Sequence, residues 1–404
     1  MNLSLNKSIF KGSIVLLITF GIYNFLNFLY HLLMARSLSI EEYGTLSALL
    51  FFSYILIVPF VESMQTLIAK YSASETDDGK INNVLRRISR RIFRAATWII
   101  ILYLIALIPL YYFTRIPVAL LLLNGMVIFG SLFVPITRGC LQGKKRFFSL
   151  GGNMIIESVT KVVVGIILVY LGFAVFGALI AFIAAIVLSL LFSIAAIKDI
   201  LRKEQVFEGN RGIHGYTKQT LLIVSLIVIA YNFDILLAKI LFNDTLAGYY
   251  AVSSVLSKAI FWGTQPISKA MFPLTSDKEN AVKKRELLTN ALLAVGVMSG
   301  IALVIFYFFS NIIIYIFSGR VISESIVILP YLGLGSAILA ISNVILLYKL
   351  SIDRTRGYVY LIIPVVLGIA LMIIYSTSLL SYSIAFIASS VLLLLASIVL
   401  LNRN

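Results

Sequence analysis

The chain has 404 residues, 60% hydrophobic and 12% charged, with a formal net charge of +16 and a mean hydropathy of +1.02. Soluble domains carry roughly 25% charged residues, so a soluble enzyme is excluded, and no polar stretch is long enough to fold as a basic nucleic-acid-binding domain. A single cysteine, Cys140, and two distant histidines, His31 and His214, exclude an intramolecular disulfide and zinc sites built on paired cysteines.

What remains is an all-α integral membrane protein. Apolar stretches long enough to cross a bilayer core, about 20 residues for about 30 Å, recur from Phe10 to Leu401. Segments of about ten alternating residues, the pattern of a spanning barrel, do not. The first stretch, 10–34, follows a short basic start and runs to Ala35–Arg36 without a small-residue cleavage site, so it is expected to be retained as a spanning helix. Further spans are expected at 44–68, 95–114, 118–138, 150–171, 174–197, 219–241, 246–271, 290–317, 322–348, 358–377 and 382–401, about twelve in all. Inner loops at 69–94, 198–218 and 272–289 separate some of them, and the outer connections are close to turns.

Charge orients this arrangement. With both termini cytoplasmic, 27 of the 33 lysines and arginines fall inside and four outside, the asymmetry of a positive-inside topology with an even number of helices. RRISRRIF at 86–93 with Arg94 runs directly into the third span, where it reads as an anchor to anionic headgroups or as a partner site. RGCLQGKKRF at 138–147 reads as an inner-loop anchor or as a pyrophosphate gate.

A weak internal repeat divides the chain. LLMARSLSIEEYGTLSA (32–48) and LLAKILFNDTLAGYYA (236–251) each close a helix with a lone cation, cross a short acidic loop and open the next helix at a glycine, Gly44 or Gly248. The copies share one orientation, which points to two six-helix halves, 1–205 and 206–404, in a parallel-repeat arrangement.

Ionisable groups at bilayer depth cost about 2.5–3.5 kcal/mol each on insertion scales and normally face a cavity or a partner. Glu62, Glu157, Lys161, Asp234 and Lys258 are the candidates. Glu157 and Lys161 are four residues apart on one helix face, either a self-neutralising pair or part of a polar site with Asn153 and Thr160. Asn24, Asn27 and His31 form a second stripe, for interhelical hydrogen bonding or for sugar hydroxyls. Glu62 and Gln65 follow Pro59, where a helix is expected to kink.

ARSLSIEEYG (35–44), GCLQGKKRFFSLGG (139–152) and DILLAKILFNDTLAGYYAVSSVLSK (234–258) resemble the polysaccharide-transporter branch of the multidrug/oligosaccharidyl-lipid/polysaccharide flippase superfamily, which includes Wzx-type O-antigen and capsule flippases. The resemblance implies two lobes around a central cavity. It also implies alternating-access export of an undecaprenyl-pyrophosphate-linked oligosaccharide across a prokaryotic inner membrane, with membrane lipids and polysaccharide polymerase machinery as partners. No cofactor is expected beyond a proton or sodium gradient. In that frame Lys258 and Lys161 would attract the pyrophosphate, and Asp234 would balance charge or take the coupling ion. Counting rise alone, Lys258 lies deeper than Asp234, so the two need not touch. The alternatives are a cation-coupled multidrug exporter of the same superfamily, or a membrane glycosyltransferase or polymerase. An enzyme is disfavoured because no outer loop gathers paired carboxylates beyond Glu41–Glu42.

Overall fold

The computed structural model describes residues 3–207, 217–276, 281–352 and 357–402, and His214 lies outside them. The described residues are helical with short connections: α1 (Leu3–Ser37), α2 (Ile40–Ser74), α3 (Asp78–Thr114), α4 (Val118–Ser131), α5 (Val134–Gly143), α6 (Phe147–Leu168), α7 (Ala174–Ala196), a single turn α8 (Lys198–Leu201), α9 (Thr217–Leu241), α10 (Asp244–Ser276), α11 (Ala281–Ser318), α12 (Ser323–Ser351), α13 (Ile362–Ile374) and α14 (Leu379–Asn402).

Nine helical stretches among the described residues are long and apolar enough to cross a bilayer. One of them, Phe147–Ala196, is two spans folded back at Gly172, whose φ is 89°. The segment Tyr358–Ile374 is short. α10 falls below the hydropathy of the others because Ser253, Ser254, Ser257, Lys258, Thr264 and Ser268 are buried on it. With these, and with α4 and α5 counted as one span, the expected twelve are present.

Three expectations need correction. The segment 69–94 is not a loop: α2 continues to Ser74, and α3 starts at Asp78 after an Asp77 cap that accepts from the Gly79 amide at 2.8 Å. Ile81, Leu85, Ile88 and Ile92 recur at helical spacing and bury one face with Leu141, Leu150, Ile197 and Ile200. Likewise, much of 272–289 is helix at the ends of α10 and α11. The span 118–138 is broken: Pro135, at the start of α5, cannot donate to the preceding turn, and α4 ends at Ser131.

α5 then runs close beside α2. A Cβ at Gly139 would lie 2.8 Å from the Gln65 carbonyl oxygen, and one at Gly143 2.4 Å from that of Ala69. Only glycine permits that approach, and it fixes the rotation of α5 and hence the direction of Arg138.

The chain divides into two compact units, Met1–Ser37 with Leu56–Lys218, and Leu38–Ile55 with Gln219–Asn404. In the first, α6 packs on α7 and α1, and α7 also packs on α4. In the second, α12 packs on α10, α11 and α14. A hydroxyl seam joins α10 to α12: Ser253 donates to the Ser325 carbonyl and Ser325 to that of Tyr249, both at 2.8 Å, and Ser257 meets Ser336 at 3.1 Å.

Residues 38–55, the start of α2, lie in the second unit. A reciprocal capping box starts that helix: Ser39 Oγ accepts from the Glu42 amide at 3.2 Å, and Glu42 Oε2 from the Ser39 amide at 2.8 Å. Asn243 Oδ1 caps α10 from one side, accepting from the Leu246 amide at 2.8 Å. The glycines matched by the internal repeat touch: a Cβ on Gly44 would sit 2.8 Å from the Gly248 Cα. Lys239 donates to Thr45 at 3.0 Å and to Asp244 at 2.7 Å, and Thr245 donates to Glu41 at 2.9 Å.

Candidate functional site

Among the described residues, each unit holds a cluster of charge buried within its helices. In the first unit α1, α5, α6 and α7 contribute. Glu157 on α6 accepts from Arg138 at 2.5 Å and from the Tyr23 hydroxyl at 3.1 Å, with the Lys161 ammonium 3.8 Å away. Arg138 Nε donates to Asn153 Oδ1 at 2.6 Å, and Asn153 donates onward to the Ser189 carbonyl, also at 2.6 Å. Lys161 donates to Asn27 Oδ1 at 2.7 Å and stands 4.5 Å from the Phe182 ring centroid. Two cations therefore share one carboxylate, and the cluster carries an excess positive charge. Tyr23, Asn27 and Glu157 are only half-buried, so the group is not sealed.

The second unit has the opposite character. Lys258 is fully buried and donates to both oxygens of Asp234, each at 2.9 Å, and to Ser254 Oγ at 2.6 Å. Asp234 also accepts from Ser254 at 2.5 Å and from Tyr250 at 3.1 Å. Tyr382 donates to the Asp234 carbonyl at 2.8 Å and Tyr231 to that of Lys258 at 2.7 Å. The Phe51 and Tyr231 rings lie 5.0 and 5.3 Å from the ammonium. Every ammonium proton has an acceptor, and the cluster is neutral.

This corrects the expectation that Asp234 and Lys258 stand apart. Helical side chains lean toward their own N-terminus, and α9 and α10 are antiparallel neighbours. The carboxylate and the ammonium therefore lean toward each other and close the gap that backbone rise alone predicts. Lys258 is fully buried, and both Asp234 oxygens accept its hydrogen bonds.

The remaining candidates scatter. Glu157, Lys161 and Asn27 converge as described. His31 is buried, edge-on to Tyr30 with centroids 5.8 Å apart, while Asn24 is exposed. Glu62 is exposed, and Gln65 donates to Gln142 at 3.0 Å on the α2–α5 contact rather than in either cluster. Arg138 is the residue that sequence reasoning placed wrongly, at the edge of a loop. Pro135 restarting a helix and the Gly139–Gly143 spacing were the available signals. No group of three or more His, Cys, Asp or Glu among the described residues could hold a metal ion.

A helical multi-pass fold with paired charge buried among long apolar helices is that of an integral membrane protein. Similar folds include a lipid II flippase MurJ in an inward closed conformation (18% identity, 96% of this chain and 87% of that one, TM-score 0.70) and an inward-facing multidrug-resistance MATE transporter of the MOP superfamily (18%, 96% of each, TM-score 0.68). A MOP superfamily transporter from Pyrococcus furiosus is also similar (16%, 97% and 94%, TM-score 0.65). In sequence, an uncharacterized membrane protein of Methanocaldococcus jannaschii is 25% identical over 345 residues, 81% of each chain. Residues 33–327 match the profile of the family described as polysaccharide biosynthesis protein, and the chain belongs to that family.

Proposed function

We propose that this protein is a flippase that carries a lipid-linked oligosaccharide, borne on an undecaprenyl-pyrophosphate carrier, from the cytoplasmic to the outer face of a prokaryotic inner membrane. The observation that carries the reading is the Arg138–Glu157–Lys161 cluster, with one positive charge in excess at bilayer depth. An excess charge there is costly unless something compensates it, and a translocating diphosphate would do so. Guanidinium binds phosphate through paired hydrogen bonds, so a diphosphate would compete with Glu157 for Arg138 while Lys161 supplies a second contact. Tyr23 and Asn27, at the same cluster, offer groups suited to sugar hydroxyls.

Family membership supports a place in polysaccharide biosynthesis, and the fold supports transport. A polysaccharide polymerase would then act on the product. Coupling to a proton or sodium gradient would use Glu157 rather than Asp234, because Glu157 keeps exposed surface. Export of cationic drugs would require the excess charge to be negative.

The test is export of lipid-linked repeat units in a deletion strain, which should accumulate them on the cytoplasmic side. Restored with Arg138→Gln or Lys161→Gln, the strain should export at least about ten-fold less, the usual scale for losing a charge-assisted contact. Arg138→Lys should keep part of the activity. Normal export by the Arg138→Gln/Lys161→Gln double variant at full abundance would refute the proposal.

A further inference from the structure

α3 has 37 residues and so is about 55 Å long, well beyond the roughly 30 Å of a hydrocarbon core. Its N-terminal half is two-faced. Ile81, Leu85, Ile88, Ile92 and Ala96 are buried in the core of the first unit, which fixes the helix's rotation. The other face presents Arg90, Arg91 and Arg94, all exposed, followed by Trp98 at 68% exposure one turn on and flanked by Phe93 at 57%.

These arginines have no carboxylate, unlike several cations nearby. Lys80 pairs with Glu75 at 3.6 Å, Lys144 with Asp78 at 2.9 Å, and Arg146 with Asp199. Asp77 is spent capping α3. Among the described residues Arg90, Arg91 and Arg94 have no hydrogen bond, ion pair or ring contact. The buried opposite face fixes which side of α3 carries these three unpaired guanidinium groups, and Trp98, a residue type enriched where headgroups begin, follows one turn on.

We propose that this stripe is a binding surface for anionic phospholipid headgroups. Arg90 and Arg91 diverge by about 100° around the helix, and Arg94 lies a turn further along. That spread suits several singly charged headgroups better than one diphosphate. Lipid held there would fix the depth of α3 in the leaflet. The inference is independent of the transported substrate.

The protein has two tryptophans, so Trp262→Phe leaves Trp98 as a reporter beside the stripe. The full chain is reconstituted in phosphatidylcholine vesicles containing phosphatidylglycerol, with one or the other lipid brominated to quench Trp98. Each guanidinium near a charged surface changes lipid partitioning roughly five-fold. Brominated phosphatidylglycerol should therefore quench Trp98 with at least about a five-fold preference, falling as salt rises from about 0.05 to 0.5 M. Arg90→Gln/Arg91→Gln/Arg94→Gln should bring the preference near one, and Arg202→Gln/Lys203→Gln, on the neighbouring inner segment, should leave it unchanged. A preference absent from the parent protein, insensitive to salt or retained by the triple variant would overturn the proposal. So would enrichment of an added polyprenyl diphosphate but not of phosphatidylglycerol. The salt series uses the parent protein, so the test stands even if the triple variant fails to insert.

Discussion

The Asp234–Lys258 pair makes a demanding prediction. Lys258→Met removes both 2.9 Å bonds to Asp234 and leaves a carboxylate with only Ser254 and Tyr250 as partners in a fully buried site. Breaking a buried pair from one side costs about 3–5 kcal/mol, so the single variant should unfold at much lower denaturant or temperature in detergent. Asp234→Asn/Lys258→Met removes both charges, while the amide oxygen still accepts from the two hydroxyls. The double variant should recover most of the loss, with a coupling energy of about 2–3 kcal/mol. Lys258→Arg keeps the charge but overfills a fully buried site, for about 1–3 kcal/mol. Unfolding of the purified protein, followed by thermal or denaturant titration, measures the stabilities, and export in the deletion strain is read in parallel. Restored stability with restored export would assign Lys258 a structural role. Additive effects in the double variant, or a Lys258→Met protein as stable as the parent, would refute the pairing argument. Restored stability without export would return Lys258 to the transport machinery.

Other expectations follow from single contacts. Gly248→Val would bring its Cβ within 2.3 Å of the Ile40 carbonyl oxygen, and Gly44→Val would press on Gly248 at 2.8 Å. Each should destabilise by about 1–3 kcal/mol in an unfolding titration, and a neutral result would put the α2–α10 crossing in error. An externally active reporter should be active when fused at residue 40 and silent after residue 80, and the reverse at either site would end the topology. Asp199 is held down to about 2, first by its hydrogen bond from Arg146, against the opposing effect of burial. A depressed carboxyl contributes stability above its ordinary value of about 3.9 and loses it as pH falls toward 2. Because its side chain is 54% exposed, Asp199→Asn should cost under about 1 kcal/mol at neutral pH, and a larger loss would show that the pair is better shielded than it looks.

The helices that hydropathy could find were legible in the sequence, because a bilayer demands a contiguous apolar run. The first half of α3 was not, since a face of Ile81, Leu85, Ile88 and Ile92 opposite five arginines averages to a polar segment. Its periodicity held the information that its mean concealed. The glycine-matched repeat proved informative beyond its length, because Gly44 and Gly248 meet each other. Site residues were legible by type but not by partner. Glu157 and Lys161 could be paired from spacing, yet Glu157's shorter bond goes to Arg138, nineteen positions earlier. The Asn24–Asn27–His31 stripe separated because only part of a helix face meets its neighbours.

The two halves repeat their outer hairpins but not their charge. In the second unit Lys258 meets Asp234, and hydroxyls from α10 complete the shell of that pair, leaving it nothing for a ligand to satisfy. In the first, Arg138 takes the short bond to Glu157, and Lys161 is left with an amide oxygen, an aromatic face and the same carboxylate at 3.8 Å. A saturated ion pair resists rearrangement, because moving either partner strands a buried charge. An under-neutralised cluster gains when an anion arrives, since the newcomer offsets desolvation that has already been incurred. A substrate that must be bound and then released belongs at the second kind of site. On the proposed reading, a lipid diphosphate would place its anionic end with Arg138 and Lys161 rather than with the saturated Asp234–Lys258 pair.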